Sequence, residues 1–131
     1  MTARSYVAVI DGDESVCRAL GRLLQGAGLY PVMYGSAEAY LEDRMRVQFD
    51  CLLVDVQLRG MTGLELHRRL SACQILTPVI FITADDEPQT RVKALQGGCA
   101  AYFRKTDAGV DIVAAIWKAI EKSPQLARSP S

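Results

Sequence analysis

The sequence holds a single histidine, His67, and no two of its four cysteines (Cys17, Cys51, Cys73, Cys99) form a C-x-x-C pair. One imidazole without suitably spaced thiols cannot assemble a tetrahedral zinc site. The thiols are therefore expected to behave as small hydrophobes. No secretory leader is evident, so they are expected to be reduced and the protein cytoplasmic. Apolar runs of about 18 residues are also missing, which excludes a membrane-spanning helix from the expected architecture. Charge of one sign is not in excess: Lys+Arg and Asp+Glu number 15 each. A surface dedicated to nucleic acid usually shows a basic surplus, so direct nucleic-acid binding is not expected. His67 lies among charged residues and is expected to be solvated.

What is present is a chain of 131 residues, half of them hydrophobic, enough for one domain with one packed core. That domain is expected over residues 1–122. The polar stretch 123–131, with Pro124 and Pro130, reads as a frayed tail or the start of a linker. Short apolar runs alternate with amphipathic stretches. The runs are Tyr6 to Asp11, Leu29 to Tyr34, Cys51 to Asp55, Thr77 to Thr83 and Ala100 to Lys105. Pro31 marks the second as an edge strand. Between them, Asp13 or Ser15 can cap a helix that Gly28 stops. Ser36 caps a short one through about Arg44, and a third begins near Gly63. A fourth, with Asp85, Asp86, Glu87 and Pro88 at its first turn, ends at Gly97-Gly98. The last opens at Asp107 and carries the stripe Ile112, Val113, Ile116, Trp117, Ile120. Alternation of this kind predicts an α/β fold, a parallel sheet with helices on both faces.

Four of the runs end on reactive groups: Asp11, Asp55, Thr83 and Lys105. Taken singly, Asp55 and Asp11 read as turn residues, Thr83 as a local cap and Lys105 as a solvated lysine. A parallel sheet, however, places all four ends on one edge, where open α/β sheets hold their ligands. Carboxylates about 5 Å apart repel by roughly 3 kcal/mol at an effective dielectric of 20. Asp13 adds a third. Such a cluster binds a cation, pairs with Lys105 or holds a proton. The oxygen-only donor set suits magnesium. An aspartate beside that ion, a hydroxyl and a lysine makes a phosphoryl acceptor.

The motifs Val-Ile-Asp11, Leu-Val-Asp55 with Met61-Thr-Gly63, Ile82-Thr83-Ala84 and Tyr102-Phe-Arg-Lys105, in this order and spacing, resemble the receiver domains of bacterial response regulators. The likeness covers about residues 5–122. It implies a flavodoxin-like (βα)5 sandwich with strand order 2-1-3-4-5. It implies that a sensor histidine kinase phosphorylates Asp55. Magnesium would be held by Asp11, Asp55 and the backbone carbonyl of Gln57. Thr83 would hydrogen-bond the phosphoryl group, Lys105 would pair with it, and Tyr102 would change rotamer with Thr83. The wording around Glu14-Ser-Val and Thr77 to Thr83 resembles receivers of the FixJ kind, attached to LuxR-type DNA-binding domains. An output domain or partner protein is implied, with a DNA-binding region beyond this chain as one form of it. The face of the fourth helix, fifth strand and fifth helix would serve readout or homodimerisation.

Three positions depart from the family. Gly12 replaces the second of two adjacent acids, which predicts weakened magnesium binding, with Asp13 as a partial substitute. Arg59 and Thr106 stand where proline is usual. Without proline the Lys105–Thr106 peptide is expected to be trans, because cis would cost about 2.5–4 kcal/mol. Gly12 also admits a second reading, a degenerate receiver acting as an interaction module without phosphorylation. A third is a haloacid-dehalogenase-type phosphatase built on Asp11-Gly-Asp13, but it lacks an acidic pair after the lysine and leaves Asp55 idle. A flavin site is disfavoured because the loop after the first strand is acidic.

Overall fold

In the computed structural model, which describes residues 4–123, the alternation becomes ten elements. Strands are β1 (Tyr6–Ile10), β2 (Tyr30–Tyr34), β3 (Cys51–Asp55), β4 (Val79–Thr83) and β5 (Ala101–Arg104). Helices are α1 (Glu14–Gly26), α2 (Ala37–Glu42), α3 (Gly63–Ala72), α4 (Pro88–Gln96) and α5 (Gly109–Glu121). All strand pairings are parallel, in the order β2-β1-β3-β4-β5, as expected. Pro31 lies on an edge strand, where a missing N–H is tolerated. Beyond Ser123, the expected tail lies outside the described residues. Ser123 itself is buried, and its amide bonds to the Ile120 carbonyl.

The strands β3 and β4 are buried along their whole length, which is why they read as continuous apolar runs. Their side chains alternate between two cores. Ala8, Ile10, Leu52, Val54 and Phe81 face α2, α3 and α4, meeting Ala37, Tyr40, Leu66, Leu70 and Ala94. Val7, Val9, Leu53, Ile80 and Ile82 face α1 and α5, meeting Cys17, Leu24, Ile112 and Ile116. Trp117 is partly buried against this second core. Cys51 is fully buried and its thiol is pushed up to about 12 by burial, so it is an unreactive apolar residue.

The helix boundaries bear out one expectation, Asp13 as a cap, and correct three others. Asp13 is the cap of α1, its Oδ1 accepting from the Ser15 and Val16 amides. Asp107 does not cap α5: Ala108 holds that position, and Asp107 Oδ2 instead accepts from the Arg104 amide at 2.8 Å. Asp85, Asp86 and Glu87 precede α4 rather than forming its first turn, which Pro88 opens. α2 stops at Glu42, two residues short of Arg44, because Asp43 turns out of the helix and its side chain binds the Tyr34 hydroxyl at 2.7 Å. No peptide bond among the described residues is cis, so the Lys105–Thr106 bond is trans as expected.

α3 starts so close to β3 that only glycine fits. A Cβ on Gly63 would sit 2.5 Å from the Asp55 carbonyl oxygen and 3.0 Å from Val56 Cα, both backbone atoms that cannot swing away. Gly63→Ala is expected to destabilise the fold by about 2–3 kcal/mol through overpacking. Urea unfolding of the two proteins checks this; equal midpoints would show that α3 can shift without cost.

Candidate functional site

Asp11 directly follows β1, Asp55 ends β3, Thr83 ends β4 and Lys105 directly follows β5. The parallel sheet therefore gathers them on its carboxyl edge. The two aspartates are held alike. Asp11 Oδ1 accepts from the Asp13 amide at 2.9 Å, and Asp55 Oδ1 accepts from the Gln57 amide at 3.0 Å. Each carboxylate thus closes a turn on the amide two residues ahead, which sets its plane. Their other oxygens converge on one cation. Lys105 Nζ lies 2.8 Å from Asp11 Oδ2 and 3.1 Å from Asp55 Oδ2. The Lys105 amide is itself pinned to the Thr83 carbonyl at 2.8 Å, so its side chain spans the end of β4 to reach β3 and β1.

The carboxylates are almost fully enclosed, Asp11 at 2% exposure and Asp55 at 6%. Burial raises the Asp11 pKa, with the neighbouring Asp55 charge adding to it and the Lys105 and Asp13 contacts opposing it. Burial also pulls the Lys105 ammonium down, but its contacts with Asp11 and Asp55 outweigh this and hold it above its ordinary value. Two carboxylates and one ammonium leave a net charge of −1. The Asp55 contact is a hydrogen bond, whereas Asp11 Oδ2 receives only the ionic contact and no aligned donor. A buried carboxylate oxygen in that state can take a hard cation, and the all-oxygen donor set fits one that retains several waters. Among the described residues no group of three or more Asp, Glu, His or Cys is placed to hold a metal.

The aspartates open into a cleft of about 590 Å³ lined by Gly12, Asp13, Ser36, Gln57, Arg59 and Lys105 among others. Asp13 and Gln57 are thus beside the carboxylates, although Asp13 Oδ1 is committed to the α1 cap. Thr83 is differently placed. It is fully buried, and its hydroxyl donates to the Asp85 carbonyl at 2.9 Å and accepts from the Asp85 amide at 3.1 Å. The hydroxyl is therefore engaged with the β4–α4 loop rather than the cleft. Tyr102 is buried too, its ring beneath the Arg91 guanidinium at 5.1 Å. Arg91 also reaches Asp86 at 3.4 Å.

His67 is not the solvated residue expected. Its ring packs edge-on against Phe81 at 5.7 Å, and burial lowers its pKa. Two residues, one lining the cleft and one tied to the loop that forms its wall, are not identified by the sequence pattern. Arg59, which in the sequence stands out only as a replacement for proline, lines the cleft. Glu38 gave no sign at all, because its partner, the Met61 amide at 2.7 Å, is 23 residues away.

Comparison with known proteins points one way. The family described as response regulator receiver domain matches residues 7–117. The response regulator protein TmoT of Ectopseudomonas mendocina is 32% identical over 92% of this chain and 55% of its own length. The transcriptional regulatory protein FixJ of Bradyrhizobium diazoefficiens is 29% identical over 98% of this chain and 63% of its own. This chain spans about half to two thirds of the length of such relatives. Among solved structures, FixJ-N superimposes with a TM-score of 0.83 at 30% identity, covering 92% of this chain and 97% of that one. The response regulator StyR gives 0.85 at 30% identity, covering 96% and 64%.

The raised Asp11 pKa has a measurable consequence. A group whose pKa is higher folded than unfolded costs stability when charged, and the cost disappears as pH falls through the folded value. Asp11→Asn removes the buried charge while Lys105 keeps Asp55. It is expected to raise the thermal midpoint at neutral pH by about 3–5 °C. The gap to the native protein should narrow on acidification. A lower midpoint at pH 7 would mean that the Lys105 pairing outweighs the desolvation of Asp11.

Proposed function

This chain belongs to the response regulator receiver domains, signalling domains of two-component systems, and from that premise we propose that Asp55 is its phosphoacceptor. The observation that carries the reading is the Lys105 ammonium bridging Asp55 and Asp11 at the mouth of the cleft. It presents a nucleophilic carboxylate beside a fixed positive charge. In transfer from a histidine kinase, one Asp55 oxygen attacks phosphorus. The O–P bond forms as the donor's N–P bond breaks, and the nitrogen's electron pair leaves with the imidazole. Lys105 offsets charge on the phosphoryl oxygens throughout. Asp11, Asp55 and the Gln57 carbonyl would hold magnesium. That ion, when bound, spreads the phosphoryl charge further.

Thr83 and Tyr102 would form the readout. The Thr83 hydroxyl must exchange its Asp85 partners for a phosphoryl oxygen, which moves the β4–α4 loop. Tyr102 packs beside that loop under Arg91 of α4, so the change reaches the α4–β5–α5 face. That face would engage an output domain, a partner protein or a second copy, giving the relay its product. Acetyl phosphate should add one phosphoryl mass to the protein, and Asp55→Asn should abolish the gain. Amide shifts should then spread from the Asp55 loops to α4 and α5. An unchanged mass yield in Asp55→Asn would sink the site, and shifts confined to the loops would sink the readout face. No phosphorylation of the native protein would favour the interaction module without phosphoryl chemistry.

Gly12 sets the metal dependence. A Cβ there would meet only the Gly35 carbonyl oxygen, at an ordinary 3.6 Å, so an aspartate fits. A charged ligand contact is worth roughly 1.5–3 kcal/mol. Gly12→Asp is therefore expected to tighten magnesium binding about tenfold or more and to lower the magnesium needed for phosphorylation. Calorimetric titration of both proteins tests this. Equal affinities would show that Asp13 already fills the place.

A further inference from the structure

We propose that Glu38 is a positioning residue for this chemistry: from α2 it clamps the loop between β3 and α3, and so sets the cleft wall beside Asp55. The proposal rests on the reading of Asp55 as phosphoacceptor. The wall consists of Gln57, Leu58 and Arg59, and it needs anchoring at both ends. At the Asp55 end the anchors come from the sheet, from Asp55 itself and from the core. The Val56 amide bonds to the Ile82 carbonyl, the Gln57 amide bonds to Asp55 Oδ1, and Val56 and Leu58 are buried in the core. At the far end the chain turns through Gly60 at φ +72. The next amide, Met61, donates to Glu38 Oε2 at 2.7 Å.

Three features show that this contact is built rather than incidental. Charged N–H···O⁻ bonds of this length are the strong class. The Met61 bond is the foremost cause holding the Glu38 carboxyl below its usual range, with the Arg69 charge on α3 contributing. Gly60 makes room for it: a Cβ there would lie 2.5 Å from Glu38 Oε2. Position 59 carries Arg, which leaves the loop's backbone free where proline would restrict it. The Gly63 amide closes the loop on the Val56 carbonyl at 3.1 Å and Met61 packs against the core, and Glu38 adds, from another helix, a side-chain clamp on the Met61 backbone between them. The carboxylate accepts from the backbone, so the wall is held whatever side chains it displays. Gly60→Ala would push Glu38 away and also strain the backbone at φ +72, so it is expected to cost at least as much as the loss of Glu38. In Glu38→Ala the clash with the carboxylate disappears while the strain of a side chain at φ +72 remains, so the two substitutions should combine less than additively in phosphorylation rate.

The test is the rate of Asp55 phosphorylation by acetyl phosphate with magnesium in the native protein, Glu38→Ala and Glu38→Gln. Exchange of the Met61 amide and the thermal midpoint are measured alongside. Glu38→Ala is expected to slow phosphorylation about three- to tenfold, the size suited to a charged but part-exposed hydrogen bond, and to speed exchange at Met61. Glu38→Gln keeps an acceptor oxygen and should restore most of the rate. A native rate in folded Glu38→Ala overturns the proposal and leaves the Asp55 assignment standing. Equal losses in Ala and Gln overturn it as well, because they assign the effect to charge and not to the clamp. Unchanged Met61 exchange overturns it without reference to phosphorylation. A native protein that takes no phosphoryl group at Asp55 removes the reading and the proposal together.

Discussion

One ammonium shared by two buried carboxylates is the constraint on which the site depends. Asp11 and Asp55 stand at neighbouring strand ends, each with one oxygen tied to its own turn. Enclosed so far from water, they would repel and drive off a proton acceptor's charge unless a cation lay between them. Lys105 supplies it from a strand two places away, across the end of β4. Thr83, at the end of the strand the lysine crosses, is fully buried, its hydroxyl bonded to the β4–α4 loop. The reach of the lysine explains why the strand order matters more than any single side chain. Exchange two strands and the lysine no longer reaches.

Strand positions were legible because a strand buried on both faces leaves an uninterrupted apolar run, and β3 and β4 are such strands. The gathering of Asp11, Asp55 and Lys105 followed from parallelism alone. The adjacency of Gly12 and Asp13 to the cleft followed in the same way. What stayed hidden depends on distances that spacing does not encode. Glu38 is an ordinary polar position of a short helix until α2 packs beside the β3–α3 loop. His67 is flanked by charges in the chain yet turns toward Phe81 in the fold. The Thr83 hydroxyl had two potential partners, the cleft and the next loop, and local hydrogen bonding to Asp85 takes it.

The helices are not tied down equally. α5 buries Ile112, Ile116, Ala119 and Ile120, whereas α4 buries only Ala94. Val92 and Leu95 of α4 face outward. Its remaining ties are polar and near the surface: Arg91 to Asp86 and Tyr102, with Arg104 also within 4.0 Å of Asp86. Exposed ion pairs contribute little each. A helix held by one buried alanine and a few surface charges belongs to the low-stability end of the molecule, where small rearrangements cost least. The same face of the domain holds Tyr102 and the Thr83 loop.

The sheet also has two margins, and each has one outward rung out of use. On β2 the Tyr30 amide points inward to the Ser5 carbonyl, so the next position, Pro31, faces outward and offers no donor. On β5 the Lys105 amide points inward to Thr83, so the Arg104 amide faces outward, and Asp107 has taken it. An incoming extended peptide would find a missing rung on one side and an occupied one on the other. Each margin thus offers an incoming strand fewer rungs than its length would suggest, which lowers the tendency to associate by strand addition.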